Sequence, residues 1–230
     1  MFFRIYFLII LLFFSTVVQA TEYYVSPSGN NANPGTLSNP FKTINYGISK
    51  LKAGDILYVR SGTYNERVVI YEHNGDANNP IVISAYPGES PIIDGTGISF
   101  NYGSALVVLS GSYLHFSGFE IRNVNITGEY DGDYGIVTKR SNIKVSNCTV
   151  HDVWGSGIGL GGDHIIAEFC TVYNCCEENN RYKGREAPWG SGISARRYPE
   201  YCIIRHCIVH DCWGEGISTF EATHTTIEDN

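Results

Sequence analysis

The sequence predicts an all-β chain wound into a right-handed parallel β-helix, with three strands per rung and an N-terminal capping helix. Three observations lead there. Segments superimpose on one another: CTVHDVWGSGIGL from Cys148, CTVYNC from Cys170 continued as WGSGISA from Trp189, and CIVHDCWGEGIST from Cys207. Each copy carries three short runs of alternating apolar and polar residues, the pattern of strands with one buried face. In one copy the apolar members are Ile143 and Val145, then Val150, then Ile158 and Leu160. Finally, equivalent positions hold equivalent residue types, as stacking at about 4.8 Å per rung requires.

The first residues, MFFRIYFLIILLFFSTVVQA, carry one arginine, an apolar run and small residues near Ala20. They read as a secretion leader, residues 1–20, whose apolar core is short for a membrane span. Residues 21–53 are expected to form an N-terminal strand and the capping helix. There NPFKTINYGISKLKAGD puts Phe41, Ile44, Ile48 and Leu51 on one helical face, after Asn39-Pro40 and before Gly54. Such a helix covers backbone groups that the first rung leaves unpaired. Residues 54–230 are the β-helix, with DILYVRSGTY and PIVISAYPGESPIIDG as strands of its earliest rungs. The sequence stops at Ile227-Glu228-Asp229-Asn230, in the middle of a rung, as a truncated coil would.

Two columns explain residues that otherwise invite chemical readings. Phe119, Cys148, Cys170, Cys207 and Asn230 fall at one tight, inward-pointing bend. Asn123, Asp152, Asn174 and Asp211 fall at another turn, where their side chains bond their own backbone. His151-Asp152 and His210-Asp211 are therefore turn residues, since the intervening rung has Tyr173-Asn174 in the same slot. All seven cysteines lie between Cys148 and Cys212. In an exported protein, Cys175 and Cys212 stand on adjacent rungs within reach of a disulfide, with Cys148, Cys170 and Cys207 as buried thiols.

A formal net charge of −7 argues against a nucleic-acid partner, and it means that an anionic polymer would need local cations. After leader cleavage no membrane partner is expected. The turn before the Gly-Ile strand is enlarged twice, at residues 127–133 and 176–188. Outward positions on that strand are expected at Val107/Leu109, Val137/Lys139, Gly159/Gly161, Ser194/Arg196 and Ser218/Phe220, where only Lys139 and Arg196 carry charge. They stand two rungs apart, about 9.6 Å, across a floor of Gly159, Gly161 and Gly162 that could seat a sugar ring. Trp154, Trp189 and Trp213 precede the glycines, either to stack on sugar faces or to fill a packing slot. Glu129, Asp131 and Asp133 could converge on a calcium ion, or simply be a solvated loop.

The stretches YYVSPSGNNANPGTLSNPFKTI, GDILYVRSGTYNE and NPIVISAYPGESPIIDG, with the Gly-Ile repeats, resemble secreted right-handed β-helix proteins. The group includes polysaccharide lyases similar to pectate, alginate and chondroitin lyases. The resemblance implies an acidic polysaccharide lying along one strand face between long loops, with calcium as charge neutraliser. β-Elimination on a uronic-acid glycan needs a base for the proton α to the carboxylate and a cation for the enolate charge; Lys139 and Arg196 suit those roles. Two alternatives stand beside it. One is a polygalacturonase-like glycoside hydrolase, which needs paired carboxylates that the outward positions lack. The other is a non-catalytic, glycan-binding surface protein.

Overall fold

The computed structural model describes residues 20–99, 105–125, 134–177 and 190–230. The leader falls on residues outside this set, apart from Ala20. The chain opens with β1 (Glu22–Val25), α1 (Ile44–Ile48), β2 (Ile56–Val59), β3 (Gly62–Tyr64), β4 (Val68–Tyr71), β5 (Ile81–Ala85) and β6 (Pro91–Asp94). It continues with β7 (Ala105–Ser110), β8 (Leu114–Ser117), β9 (Glu120–Val124), β10 (Tyr134–Thr138), β11 (Ile143–Ser146), β12 (Thr149–Val153) and β13 (Ser156–Leu160). The last strands are β14 (Ile166–Glu168), β15 (Thr171–Cys175), β16 (Ser191–Arg196), β17 (Ile203–Arg205), β18 (Ile208–His210), β19 (Glu215–Phe220) and β20 (Thr226–Glu228).

These strands form three parallel sheets, each taking one strand per rung. The first is ordered β1-β2-β5-β8-β11-β14-β17-β20, the second β3-β6-β9-β12-β15-β18, and the third β4-β7-β10-β13-β16-β19. The expected β-helix is thus present. Because β1 pairs in register with β2, Glu22 opposite Ile56, the N-terminal strand is the first strand of the coil wall. The helix is shorter than the apolar pattern suggests. Phe41 is taken by a bridge to Val25, and Thr43 caps the helix by accepting from the Tyr46 N–H, with Glu66 accepting from the Ile44 N–H at 2.7 Å. Phe41, Ile44, Ile48 and Leu51 are nonetheless all buried.

The turn column takes the backbone its residue types favour, but its side chains bond neighbouring side chains rather than their own backbone, Asn123 to Asp94 and Asn174 to Asp152. Asn123, Asp152, Asn174 and Asp211 all have φ between 51 and 58°, the left-handed region that Asn and Asp enter at least cost. His151 Nδ1 lies 2.7 Å from Asp152 Oδ2, as His210 Nδ1 does from Asp211, and the His151, Tyr173 and His210 rings stack along successive rungs. At the bend column each thiol donates to the carbonyl two residues back: Cys148 to Ser146, Cys170 to Glu168, Cys207 to Arg205, at 3.3, 3.4 and 3.3 Å. Asn230 closes that column by accepting from the Cys207 N–H. All seven cysteines are free thiols, although Cys175 and Cys212 occupy adjacent rungs as expected.

A further column, Gly135, Gly157, Gly192 and Gly216, opens the third-sheet strands. A Cβ on Gly157 would lie 2.6 Å from the Gly192 carbonyl oxygen and 2.4 Å from a Val172 methyl, and Gly192 meets the next rung in the same way. Gly157 and Gly192, each the second residue of its strand, are held because a side chain there would meet the next rung.

Two expectations are corrected. Val107 and Leu109 point into the core, aligned with Ile136 and Thr138, whereas Val108 points outward against Val137. The run ALVVL is buried on both faces, so alternation gives no phase. The second concerns the tryptophans. Successive hydrogen bonds run from the Trp154 N–H to Val124, from the Cys176 N–H to Val153 and from the Trp213 N–H to Cys175, so Cys176 occupies the slot between the two tryptophans. The insertion after Cys176 separates Trp189 from that slot in sequence, and Trp189 lies outside the described residues.

Candidate active-site cavity on the third sheet

Three successive third-sheet strands, β10, β13 and β16, build one cavity of about 290 Å³ on the outer face of the coil. Its lining includes Tyr134, Lys139, Gly159, Gly161, Ser194, Arg196 and Arg197. Register places the cations. Thr138 pairs with Leu160 and Leu160 with Ala195, so the next residues, Lys139, Gly161 and Arg196, form one column two rungs long. The expected pair is therefore brought to one cavity. Thr138 locks this corner, donating from Oγ1 to the Gly161 carbonyl at 3.1 Å and accepting the Gly161 N–H at 3.0 Å.

The glycine floor has a different meaning from the one the sequence suggests. A Cβ on Gly159 would stand 2.6 Å from Tyr134 Cε1, so the space above Gly159 belongs to the tyrosine ring. Gly162, at φ 114°, is required by the Arg140 carbonyl, which would lie 2.5 Å from a Cβ. The cavity is thus walled by an aromatic ring as well as floored by the backbone of Gly159, Gly161 and Gly162. Behind Tyr134, Val69, Ala105, Val108 and Val137 pack into a separate apolar cluster on the same outer face.

Charge in the cavity has one sign. Lys139, Arg196 and Arg197 line it, and no carboxylate does so among the described residues. Arg196 folds back along its own strand, where Nη2 donates to Ser191 Oγ at 3.3 Å. Ser191 Oγ is also 3.1 Å from Glu215 Oε2 and 2.7 Å from Ser218 Oγ. Arg196 Nε and Ser194 Oγ are buried without a partner among the described residues.

The other sequence candidates lie elsewhere. Trp154 faces a separate hollow with Asp152, Asn174 and Glu177, and Trp213, 49% exposed, is not in the cavity lining. Neither tryptophan is therefore placed to hold a sugar in the cavity. Glu129, Asp131 and Asp133 fall outside the described residues. Among those described, no cluster of three or more His, Cys, Asp or Glu could hold a metal, and the cationic lining does not fit calcium. Tyr134, Ser194 and Arg197 are the cavity residues to which the sequence reading assigns no role. A second hollow, on the first sheet, gathers Tyr113, His115, Lys144 and His164; burial, then Lys144, lowers the His115 pKa.

Four similarities place the chain among known proteins. It is 30% identical over 151 residues to pectate lyase PEL9 of Emericella nidulans, a match covering 64% of this chain and 37% of that protein. It is 29% identical over 150 residues to pectate lyase L of Paenibacillus polymyxa, covering 64% and 32%. The chain thus spans about a third of the length of these curated relatives. Among solved structures, a rhamnogalacturonan lyase superposes with a TM-score of 0.67 at 18% identity, over 91% of this chain and 62% of that one, a likeness of fold. The profile of the Pel9A-like right-handed beta-helix region matches residues 23–230, and with the three-sheet coil it shows that the chain belongs to that family.

Proposed function

We propose that this chain carries part of the active site of a secreted polysaccharide lyase that cleaves a uronic-acid-containing glycan by β-elimination. The observation that carries the reading is the column Lys139-Gly161-Arg196, which brings two cations to one cavity lined by no carboxylate among the described residues. Arg196 holds the uronate carboxylate and Lys139 takes the proton α to it. The carbanion charge spreads into the carboxylate, where Arg196 and Arg197 stabilise it. The electron pair then forms the ring double bond as the glycosidic oxygen leaves and takes a proton from water. The pectate lyases among the relatives support this reaction class, and the substrate is left at the level of an acidic glycan. A glycoside hydrolase is disfavoured because its paired carboxylates are missing from the described lining.

Glu129, Asp131 and Asp133 would hold a calcium ion, which would neutralise uronate charge there. Export is proposed from the leader, and N-terminal sequencing of the exported protein should begin at Thr21. No helix among the described residues is long and apolar enough to cross a membrane.

The test is made in the full-length protein with polygalacturonate and alginate. Lys139→Ala should abolish the ultraviolet absorbance of unsaturated sugar ends with little loss of binding. Arg196→Ala should weaken binding, most at low ionic strength where a charge contact is least screened. New reducing ends without that absorbance would establish hydrolysis instead, and binding without either product a non-catalytic glycan receptor. Wild-type behaviour in both variants would move the site off this face.

A further inference from the structure

Ser194 stands in register between Gly159 on one side and Ser218 on the other, at the centre of the strand that closes the cavity. Its residue is fully buried, yet its hydroxyl has no partner among the described residues. A buried hydroxyl left unpaired is costly, so native structures nearly always satisfy such groups. The neighbours show why this one is left over. Ser191 Oγ donates to Glu215 and accepts from Ser218 and Arg196, which uses its one proton and both lone pairs. The arginine reaches Ser191 from the far side of Ser194 on the same outer face, so its stem runs along Ser194, and its Nε is the second unpartnered group.

Two adjacent unpaired groups thus line a cationic cavity, and both can donate. A neighbouring N–H and O–H, both unpartnered among the described residues, call for an acceptor with more than one lone pair, and Lys139 and Arg197 in the same lining favour a negative one. We infer that Ser194 is a specificity-determining residue, whose hydroxyl donates, beside Arg196 Nε, to the carboxylate of one hexuronate residue seated in the cavity. At about 290 Å³ the cavity is at the small end of ligand pockets, which suits one sugar residue of a chain better than a longer segment. A neutral hexose has a primary alcohol in place of the carboxylate and offers these donors a far weaker acceptor. The selection is therefore for acid over neutral sugar.

The inference rests on reading the cavity as a uronate site, and the experiment separates the two. Binding of oligogalacturonate, oligomannuronate and their carboxyl-reduced counterparts is measured by calorimetry for the full-length protein and for Ser194→Ala, with melting temperatures alongside. A hydrogen bond to a charged group is lost in the variant, so uronate affinity should fall by about tenfold or more while affinity for the reduced oligomers does not change. The melting temperature should hold or rise, because the variant removes an unpaired buried hydroxyl. Equal uronate affinity in wild type and variant overturns the role of Ser194 alone. So does a fall in melting temperature that accounts for the lost binding, which would make Ser194 a packing residue. If wild type binds neither uronate, or binds the reduced oligomers as tightly, the uronate reading of the cavity falls and the inference falls with it.

Discussion

Asp94 at the end of β6 gives a prediction whose size follows from the structure. Its carboxylate is 7% exposed and collects the Thr96 N–H at 2.8 Å, Arg122 Nε at 2.9 Å and Asn123 Nδ2 at 3.1 Å. Burial alone would raise its pKa, but the bonds from Thr96, Arg122 and Asn123 outweigh it and hold the group at about 2 instead of 3.8. At about 1.4 kcal/mol per tenfold change in proton affinity, that depression corresponds to about 2.5 kcal/mol of folding stability. The folded value lies below the unfolded one. The contribution is therefore complete above about pH 4 and is lost as pH falls through 2. Asp94→Asn removes the titration while keeping the shape of the side chain. At pH 6 its melting temperature should lie about 5–10 °C below wild type, at roughly 2–4 °C per kcal/mol for a domain of this size. By pH 2.5 the difference should have shrunk to less than half. Calorimetric scans across that range decide it, and a gap that stays constant from pH 6 to 2.5 refutes the argument.

Further predictions follow from single contacts. Gly159→Ala puts a Cβ 2.6 Å from the Tyr134 ring and should displace it, costing about 1–3 kcal/mol in a denaturant titration and weakening uronate binding; an unchanged midpoint would mean that the ring moves freely. Cys175 and Cys212 sit on adjacent rungs, with the Cys212 thiol drawn down by hydrogen bonds from Cys175 and Cys176. Oxidation by an exported thiol oxidoreductase should join Cys175 to Cys212, and a non-reducing peptide map that finds either one alkylated counts against it. If Glu129, Asp131 and Asp133 bind calcium, chelation with EGTA should lower the melting temperature of wild type but not of the Glu129→Gln, Asp131→Asn, Asp133→Asn triple variant. Equal responses in the two proteins would remove that site.

The coil was legible because its turns use residue types with one physical purpose. Asn123, Asp152, Asn174 and Asp211 mark left-handed positions, and the Gly157-type glycines mark a rung approach that no side chain tolerates. Legibility fails where those signals vanish. The strand ALVVL has no polar residue to fix its phase, since Val108 on its outer face is as enclosed as Val107 within. The Trp-Gly motif misleads for a different reason. It spans the end of one strand and the start of the next, and in the rung with the insertion Cys176 takes the slot that tryptophan holds in its neighbours. Asn-type turns also conceal strain: Phe169, Tyr201 and His206 hold φ of 53, 57 and 51° with no such chemistry to favour it.

The site was legible only as far as backbone register goes. Lys139 and Arg196 could be found by counting, because columns in a parallel coil obey strand pairing regardless of side chains. Tyr134 could not, because its role depends on where the ring leans, and the sequence shows only a tyrosine at a strand start and a glycine one rung on. Ser194 is harder still, being identified by bonds it lacks after those of Ser191 are accounted for. These three kinds of residue bear on one electrostatic argument. A chain of net charge −7 repels a polyanion almost everywhere, so its local field has to select the place of contact. The cavity bearing Lys139, Arg196 and Arg197 without a described counter-charge is such a place. On the first sheet, by contrast, Lys144 and Arg205 are both committed to Glu168, at 2.5 and 2.7 Å, and hold its pKa down against burial. Cations thus do opposite work on two faces of one coil: the two on the first sheet are paired and join rungs, while the three in the cavity are open to the charge of the proposed glycan.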